Sequence, residues 1–179
     1  MMSNQPTLTS TDIWPSLPLD AWQETYTTLH MWTQIIGKIR FAQTPWINHS
    51  WHIPLYLTVR GLTTSTIPYG SRIFQIDFDF IDHELLIQTS EGARRAIALY
   101  PRSVADFYQT VMETLRALDI HITINTKPNE VPNPIRFEQD ETVAPETVRA
   151  LREALQAEGV ELIESGAYRG GVVPPVAGR

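Results

Sequence analysis

Apolar residues recur every three or four positions between Trp22 and Ile39, and this spacing predicts an amphipathic helix. Asp20 is placed to cap its N-terminus, and the predicted buried stripe consists of Trp22, Tyr26, Leu29, Trp32, Ile36 and Ile39. A second stripe is polar and contains Gln23, Thr27, His30, Gln34 and Lys38. That stripe is either a solvated face or, because His and Gln replace the usual Glu and Lys, one wall of a binding site.

Residues 51–60 alternate between apolar and polar types, which predicts a strand. Its core face would carry Trp51, Ile53, Leu55, Leu57 and Val59, and its other face His52, Pro54, Tyr56, Thr58 and Arg60. Residues 61–70 are small and hydroxyl-rich and end in a Pro-Tyr-Gly turn, so we expect a loop there.

A meander of strands is predicted over residues 74–99, with turns at 82–83 and 90–92. Its inward residues would be Phe74, Ile76, Phe78 and Phe80. Arg94 and Arg95 are expected to lie across from Asp77 or Asp79, so these acids are interpreted as structural. Ser103 is expected to cap a second helix with a buried stripe, and a last strand would turn inward Ile120, Ile122 and Ile124.

These elements predict an α+β fold with a mostly antiparallel sheet of four or five strands and two main helices packed chiefly on one face. Residues 1–19 are expected to form an extended arm, residues 20–140 the α+β core, and residues 141–179 a short helix-strand appendage with a mobile end.

Composition narrows the functional classes for the 179-residue chain. It contains no cysteine, which excludes disulfides, a thiolate nucleophile and cysteine metal ligands, and suits the cytoplasm. No signal sequence and no apolar run of ~18 residues is evident, so we expect neither export nor a membrane span. The net charge of −6 and the scattered basic residues disfavour nucleic-acid binding.

Four long strings carry a resemblance to a known family. In order, they are WPSLPLDAWQETYTTLHMWTQIIGKIR, NHSWHIPLYLTVRGLTTSTIPYG, FQIDFDFIDHELLIQTSEG and YPRSVADFYQTVMETL. They resemble the N-terminal half of the bacterial family of unknown function DUF5996 over about residues 14–140. The resemblance implies no activity, and it implies that any site shared with the family's second half is incomplete here. Residues 147–172 are similar to the segment that follows the helix-turn-helix of some repressor-like proteins; without that motif, DNA binding does not follow.

The densest group of polar residues lies around residues 48–69, beside the polar stripe of the first helix. If helix and strand pack together, a pocket for a small polar or anionic ligand would be lined by Gln34, Lys38, Arg40, Asn48, His49, Tyr56, Arg60, Thr63, Thr64 and Tyr69. The cations would hold negative charge, and His30 and His52 would be proton carriers in any turnover. The structural alternative pairs Arg60 with a carboxylate such as Asp77 and leaves the histidines to satisfy backbone groups.

Known reaction motifs are absent, namely GxSxG, GxxxxGK, GxGxxG and HExxH, so neither a reaction class nor a cofactor is indicated. His49 and His52 could bind a metal together with His30 or Asp79. They are three residues apart, which on a strand places them on opposite faces, so this pair could chelate a metal only if residues 48–50 form a turn. The competing hypothesis is a non-catalytic interaction or regulatory protein. It would use an aromatic surface around Trp14 and Trp46, with the C-terminal tail for docking or self-association.

Overall fold

A computed structural model describes residues 19–143 and contains two helices beside one sheet. In chain order the elements are α1 (Leu19–Gln43), a 3₁₀ turn (Asn48–Ser50), β1 (Tyr56–Leu57), β2 (Gly61–Tyr69), β3 (Arg72–Asp79), β4 (Glu84–Thr89), β5 (Arg94–Ala98), α2 (Val104–Ala117) and a second 3₁₀ turn (Phe137–Gln139). All strand pairs are antiparallel and follow sequence order. The predicted α+β class and antiparallel sheet are confirmed. The N-terminal arm and the C-terminal appendage lie outside the described residues.

The core lies between the two helices and one face of the sheet. Alternate residues of β3 and β4 are buried, as the period of two predicts, and they meet Ile35, Ile36 and Ile39 of α1 in the same cluster. Trp32 of α1 stacks on Phe107 of α2 with ring centroids 4.5 Å apart. Ser103 caps α2 as expected, because its side chain accepts a hydrogen bond from the Asp106 N–H.

Two predictions for α1 are wrong. The helix includes Leu19, so Asp20 is not the N-cap. Asp20 lies in the first turn, where its negative charge interacts favourably with the helix dipole. Tyr26 is exposed. Each step of three residues falls about 60° short of a full helical turn, and two such steps separate Tyr26 from Trp32, so Tyr26 lies on a different face of the helix. Thr25 and Thr28 occupy the buried positions instead. The side chain of Trp22 lies outside the described part.

The predicted strand over residues 51–60 shrinks to the two residues of β1, and only part of its predicted core face is covered. Ile53 and Leu55 are half-buried, while Trp51, Leu57 and Val59 are exposed. His52 is 2% exposed, whereas Leu57 is 87% and Val59 100% exposed. Turns interrupt the segment at both ends: the backbone of His49 is left-handed at φ 56°, and Thr58 N–H donates to the Gly61 carbonyl. Pro54 cannot donate to a ladder. The alternation in the sequence therefore did not correspond to an extended chain.

The predicted loop over residues 61–70 is strand β2, which pairs with both β1 and β3, since β-branched threonines fit a pleated sheet well. A bulge lies between Thr63 and Thr66, with Ser65 at φ 55°. At this bulge the buried Thr64 hydroxyl accepts from the Ile76 N–H at 3.0 Å and replaces a backbone acceptor. Gly61 begins β2 where a Cβ would collide with the Phe78 carbonyl oxygen, so this close approach requires glycine.

Two further expectations need correction. Ile120, Ile122 and Ile124 are buried as predicted, but residues 120–126 form no strand and do not join the sheet. Arg94 and Arg95 do not reach the acids of β3, because β4 separates β3 from β5. Arg94 instead lies 3.6 Å from Glu84.

Candidate functional site

A cavity of about 850 Å³ lies between α1 and the chain segment of residues 123–130. The predicted polar stripe supplies one wall, with His30, Gln34 and Lys38 on successive helical turns. The other lining residues are Thr33, Gly37, Phe41, Ala42, Ile53, Leu55, Leu62, Thr123, Ile124, Asn125, Asn129 and Glu130. A cavity of this size that combines apolar side chains with convergent polar groups is typical of small-molecule sites.

Hydrogen bonds between Gln34 and Asn129 fix the two walls to each other. The Gln34 side-chain amide donates to the Asn129 carbonyl at 2.9 Å, and the Asn129 N–H donates back to Gln34 Oε1 at 2.8 Å. Gln34 Nε2 also lies 3.1 Å from His30 Nε2. This contact requires an unprotonated ring nitrogen, which the neutral Nδ1–H tautomer of His30 provides. The polar wall is therefore held in one arrangement without a ligand.

Lys38 brings positive charge to this wall. Its ammonium donates to Asn129 Oδ1 at 3.1 Å. Burial lowers the pKa of Lys38 below its ordinary value of 10.5. Within residues 19–143 no carboxylate lies within 4.0 Å of Lys38 Nζ, although Glu130 lines the same cavity. The charge is therefore available to an anion.

The structure separates His52 from the cavity, contrary to the sequence analysis. Its ring packs between Phe41 and Trp46, with centroids 5.5 and 5.1 Å away. His52 Nδ1 accepts a hydrogen bond from the Ile47 N–H at 3.3 Å. This is the structural role that the alternative interpretation assigned to the histidines.

The two arginines predicted to line the pocket are also engaged elsewhere. Arg40 is buried two residues beyond Lys38, about 200° around the helix, so the two cations cannot converge. Its guanidinium donates to the Pro54 carbonyl and lies 5.1 Å from the Tyr56 ring centroid, which places Tyr56 outside the cavity lining as well.

Arg60 makes a structural ion pair. It contacts Asp79 at 2.5 Å and Asp82 at 2.6 Å, so the predicted pairing with a carboxylate holds but Asp77 is not the partner. Burial by itself would raise the pKa of Asp79. The hydrogen bonds from Arg60 and from the N–H groups of Asp82 and Ile81 outweigh burial and lower that pKa below 3.8.

The remaining predicted residues also lie away from the cavity. Asn48 and His49 are exposed on the first 3₁₀ turn, Thr63 Oγ1 accepts from the Ser65 N–H, and the Tyr69 hydroxyl accepts from the His121 N–H. Thr64 supports the bulge in β2. Across residues 19–143, no three His, Asp or Glu side chains are grouped in a way that could hold a metal.

The sequence analysis missed the opposite wall of the cavity, which residues 123–125 and 129–130 line. Its only indication was the proline-rich run from Lys127 to Pro134, which cannot be helical. Nothing in that run indicates that Asn129 reaches α1, because the contact joins residues more than 90 positions apart in sequence.

Comparison with family models assigns the chain. The model of a family of unknown function, DUF5996, matches residues 14–161. The chain belongs to this family. The match extends past residue 140, where the resemblance drawn from the sequence ended, and no curated protein and no solved structure matched the chain. In this family member, neither helix within residues 19–143 has the length and apolar character to cross a membrane.

Proposed function

We propose that this protein binds a small polar or anionic ligand in the cavity between α1 and residues 123–130. The observation that carries the proposal is Lys38, a cation without a carboxylate partner among residues 19–143, in a cavity whose lining combines polar and apolar side chains. Removing a cation from water is costly unless it is paired, and a bound anion would supply the pair.

Gly37 gives independent support. It lies inside a 25-residue helix, where glycine costs roughly 1 kcal/mol relative to alanine. A Cβ at this position would meet only the Ile53 side chain at 3.8 Å, so packing does not require glycine. A longer side chain would extend into the cavity that Gly37 lines. The glycine therefore keeps open a volume that a ligand can use.

His30 is the proton carrier to consider if the ligand is turned over. Of the two histidines nominated from the sequence, it alone lines the cavity. Its Nε2 lone pair accepts from Gln34, so His30 would take a proton from a ligand only once that contact is broken. Binding is the proposal; turnover is a hypothesis that a reaction assay on bound compounds would address.

A thermal-shift screen tests the proposal. A ligand at ~100 times its dissociation constant adds ~2.7 kcal/mol to the free energy of unfolding. The panel contains small carboxylates, phosphate esters, nucleotides and neutral amides. The sequence contains two lysines, so Lys127→Met is a matched control for Lys38→Met. We expect a stabilising compound whose effect disappears in Lys38→Met and persists in Lys127→Met; equal effects in both variants would contradict the proposal.

A second function, partner binding, is favoured by a different surface. Apolar side chains are exposed around β1, including Trp46, Trp51 and Leu57. Exposed apolar patches of this kind often mark interaction sites. Trp14 and the tail, which the sequence analysis added to this surface, lie outside the described residues. Replacing Trp51 and Leu57 with serine and measuring mass by light scattering tests self-association: an oligomer that becomes monomeric supports it, and a monomer before and after removes it.

A further inference from the structure

The charge balance of the cavity restricts what it accepts, if the proposed function holds. We infer that the ligand is an organic monocarboxylate with an apolar body, and that the site selects against dianions such as phosphate monoesters. Lys38 supplies one positive charge, while Glu130 adds negative charge to the same lining. A second negative charge on the ligand would be unpaired near apolar walls and repelled by Glu130.

The neutral donors suit the two oxygens of a carboxylate. Asn129 Oδ1 accepts from Lys38, and Asn125 Oδ1 accepts from the Lys127 N–H. Both amide oxygens are thereby oriented, and both Nδ2 groups remain as donors at the cavity lining. Lys38 also retains N–H groups beyond the one that it donates to Asn129. One ammonium and two amide groups can bind a carboxylate without a second cation.

The apolar side chains of the lining favour a ligand with an apolar body. Phe41, Ile53, Leu55, Leu62 and Ile124 present only hydrocarbon side chains. A cavity of 850 Å³ is far larger than a carboxylate group alone. Acetate would leave this apolar surface in contact with water, whereas an aryl or alkyl chain would cover it.

Calorimetric titration of the full chain with four probes tests the inference: phenylacetate, acetate, phenylacetamide and phenyl phosphate, at a pH of about 7.5, where the phosphate monoester carries nearly two charges. We expect phenylacetate to bind at least ~10-fold more tightly than each of the others, because a charged hydrogen bond and an apolar contact each contribute at about that level. Lys38→Met should weaken phenylacetate by ~10-fold or more and bring it level with phenylacetamide, while Lys127→Met should leave its affinity unchanged.

The outcomes separate this inference from the proposed function. The monocarboxylate inference is overturned if phenyl phosphate or phenylacetamide binds as tightly as phenylacetate. The proposed site still stands in that case if Gly37→Leu, which fills the cavity, abolishes the binding. Ala42→Trp, at an exposed position on the same lining, serves if Gly37→Leu does not fold. Binding of no probe overturns the inference. A panel-wide absence of thermal shifts would remove the proposed function as well.

Discussion

Replacing Gly37 with alanine should stabilise the protein, although Gly37 is buried in the middle of α1. Alanine gains roughly 1 kcal/mol over glycine inside a helix. The new methyl would meet the Ile53 side chain at 3.8 Å, an ordinary van der Waals distance, so no clash offsets this gain. Partial burial of the methyl adds at most about 0.8 kcal/mol. We therefore expect Gly37→Ala to raise the free energy of unfolding by about 1 to 1.5 kcal/mol.

Urea unfolding followed by tryptophan fluorescence measures this change, because Trp32 lies in the core. The midpoint should rise with an unchanged slope, and the melting temperature should rise by roughly 3 to 6 °C. A lower midpoint would refute the reasoning, since it would mean that the backbone or the packing at Gly37 requires glycine.

The contacts of three side chains, Asp79, Lys38 and His52, support four further predictions. Asp79→Ala should lower the free energy of unfolding, measured with urea, by about 2 kcal/mol, because Arg60 and two backbone N–H groups lose their acceptor. A decrease below 0.5 kcal/mol, roughly the lower limit for one hydrogen bond, would contradict this. The fold lowers the pKa of Asp79, so the ionised carboxylate stabilises the protein above about pH 3.8, and this stabilisation is lost as the pH falls through the pKa of the folded state. Asp79→Asn should abolish this acid-dependent loss in the urea midpoint. Burial also lowers the pKa of Lys38, so between the folded pKa and 10.5 the unfolded chain binds more protons than the folded chain. Stability should therefore rise with pH across that interval, and Lys38→Met should flatten the rise in urea midpoints. His52→Ala should lower the free energy of unfolding by about 2 to 3 kcal/mol through lost packing on Phe41 and Trp46, while ligand affinity is retained. A loss of affinity without a loss of stability would contradict this and restore His52 as a site residue.

The sequence predicted the helix wall of the cavity because a helix repeats regularly and its polar stripe is intact. His30, Gln34 and Lys38 lie together for that reason. The same geometry explains the failure of Arg40, since two residues along a helix correspond to about 200° of rotation. Arg40 was not part of the predicted stripe and entered the predicted pocket only because it is close to Lys38 in sequence.

The sheet edge was predicted less well, because local pattern and tertiary structure conflict there. Residues 51–60 alternate as a strand would, yet turns bury His52 and expose Val59. The threonines of β2 looked like a loop from their polarity, but their β-branching decided the structure. The contact of Asn129 with Gln34 depends on the fold of the whole chain and leaves no local pattern.

The most direct test of the account is acetylation of the two lysines, followed by mass spectrometry, with and without the compound that gives the largest thermal shift. Lys38 lines the cavity and Lys127 does not. The account predicts that the bound compound slows modification of Lys38 and leaves Lys127 unchanged. Equal modification of both lysines with the compound bound would contradict it and place the ligand elsewhere on the protein.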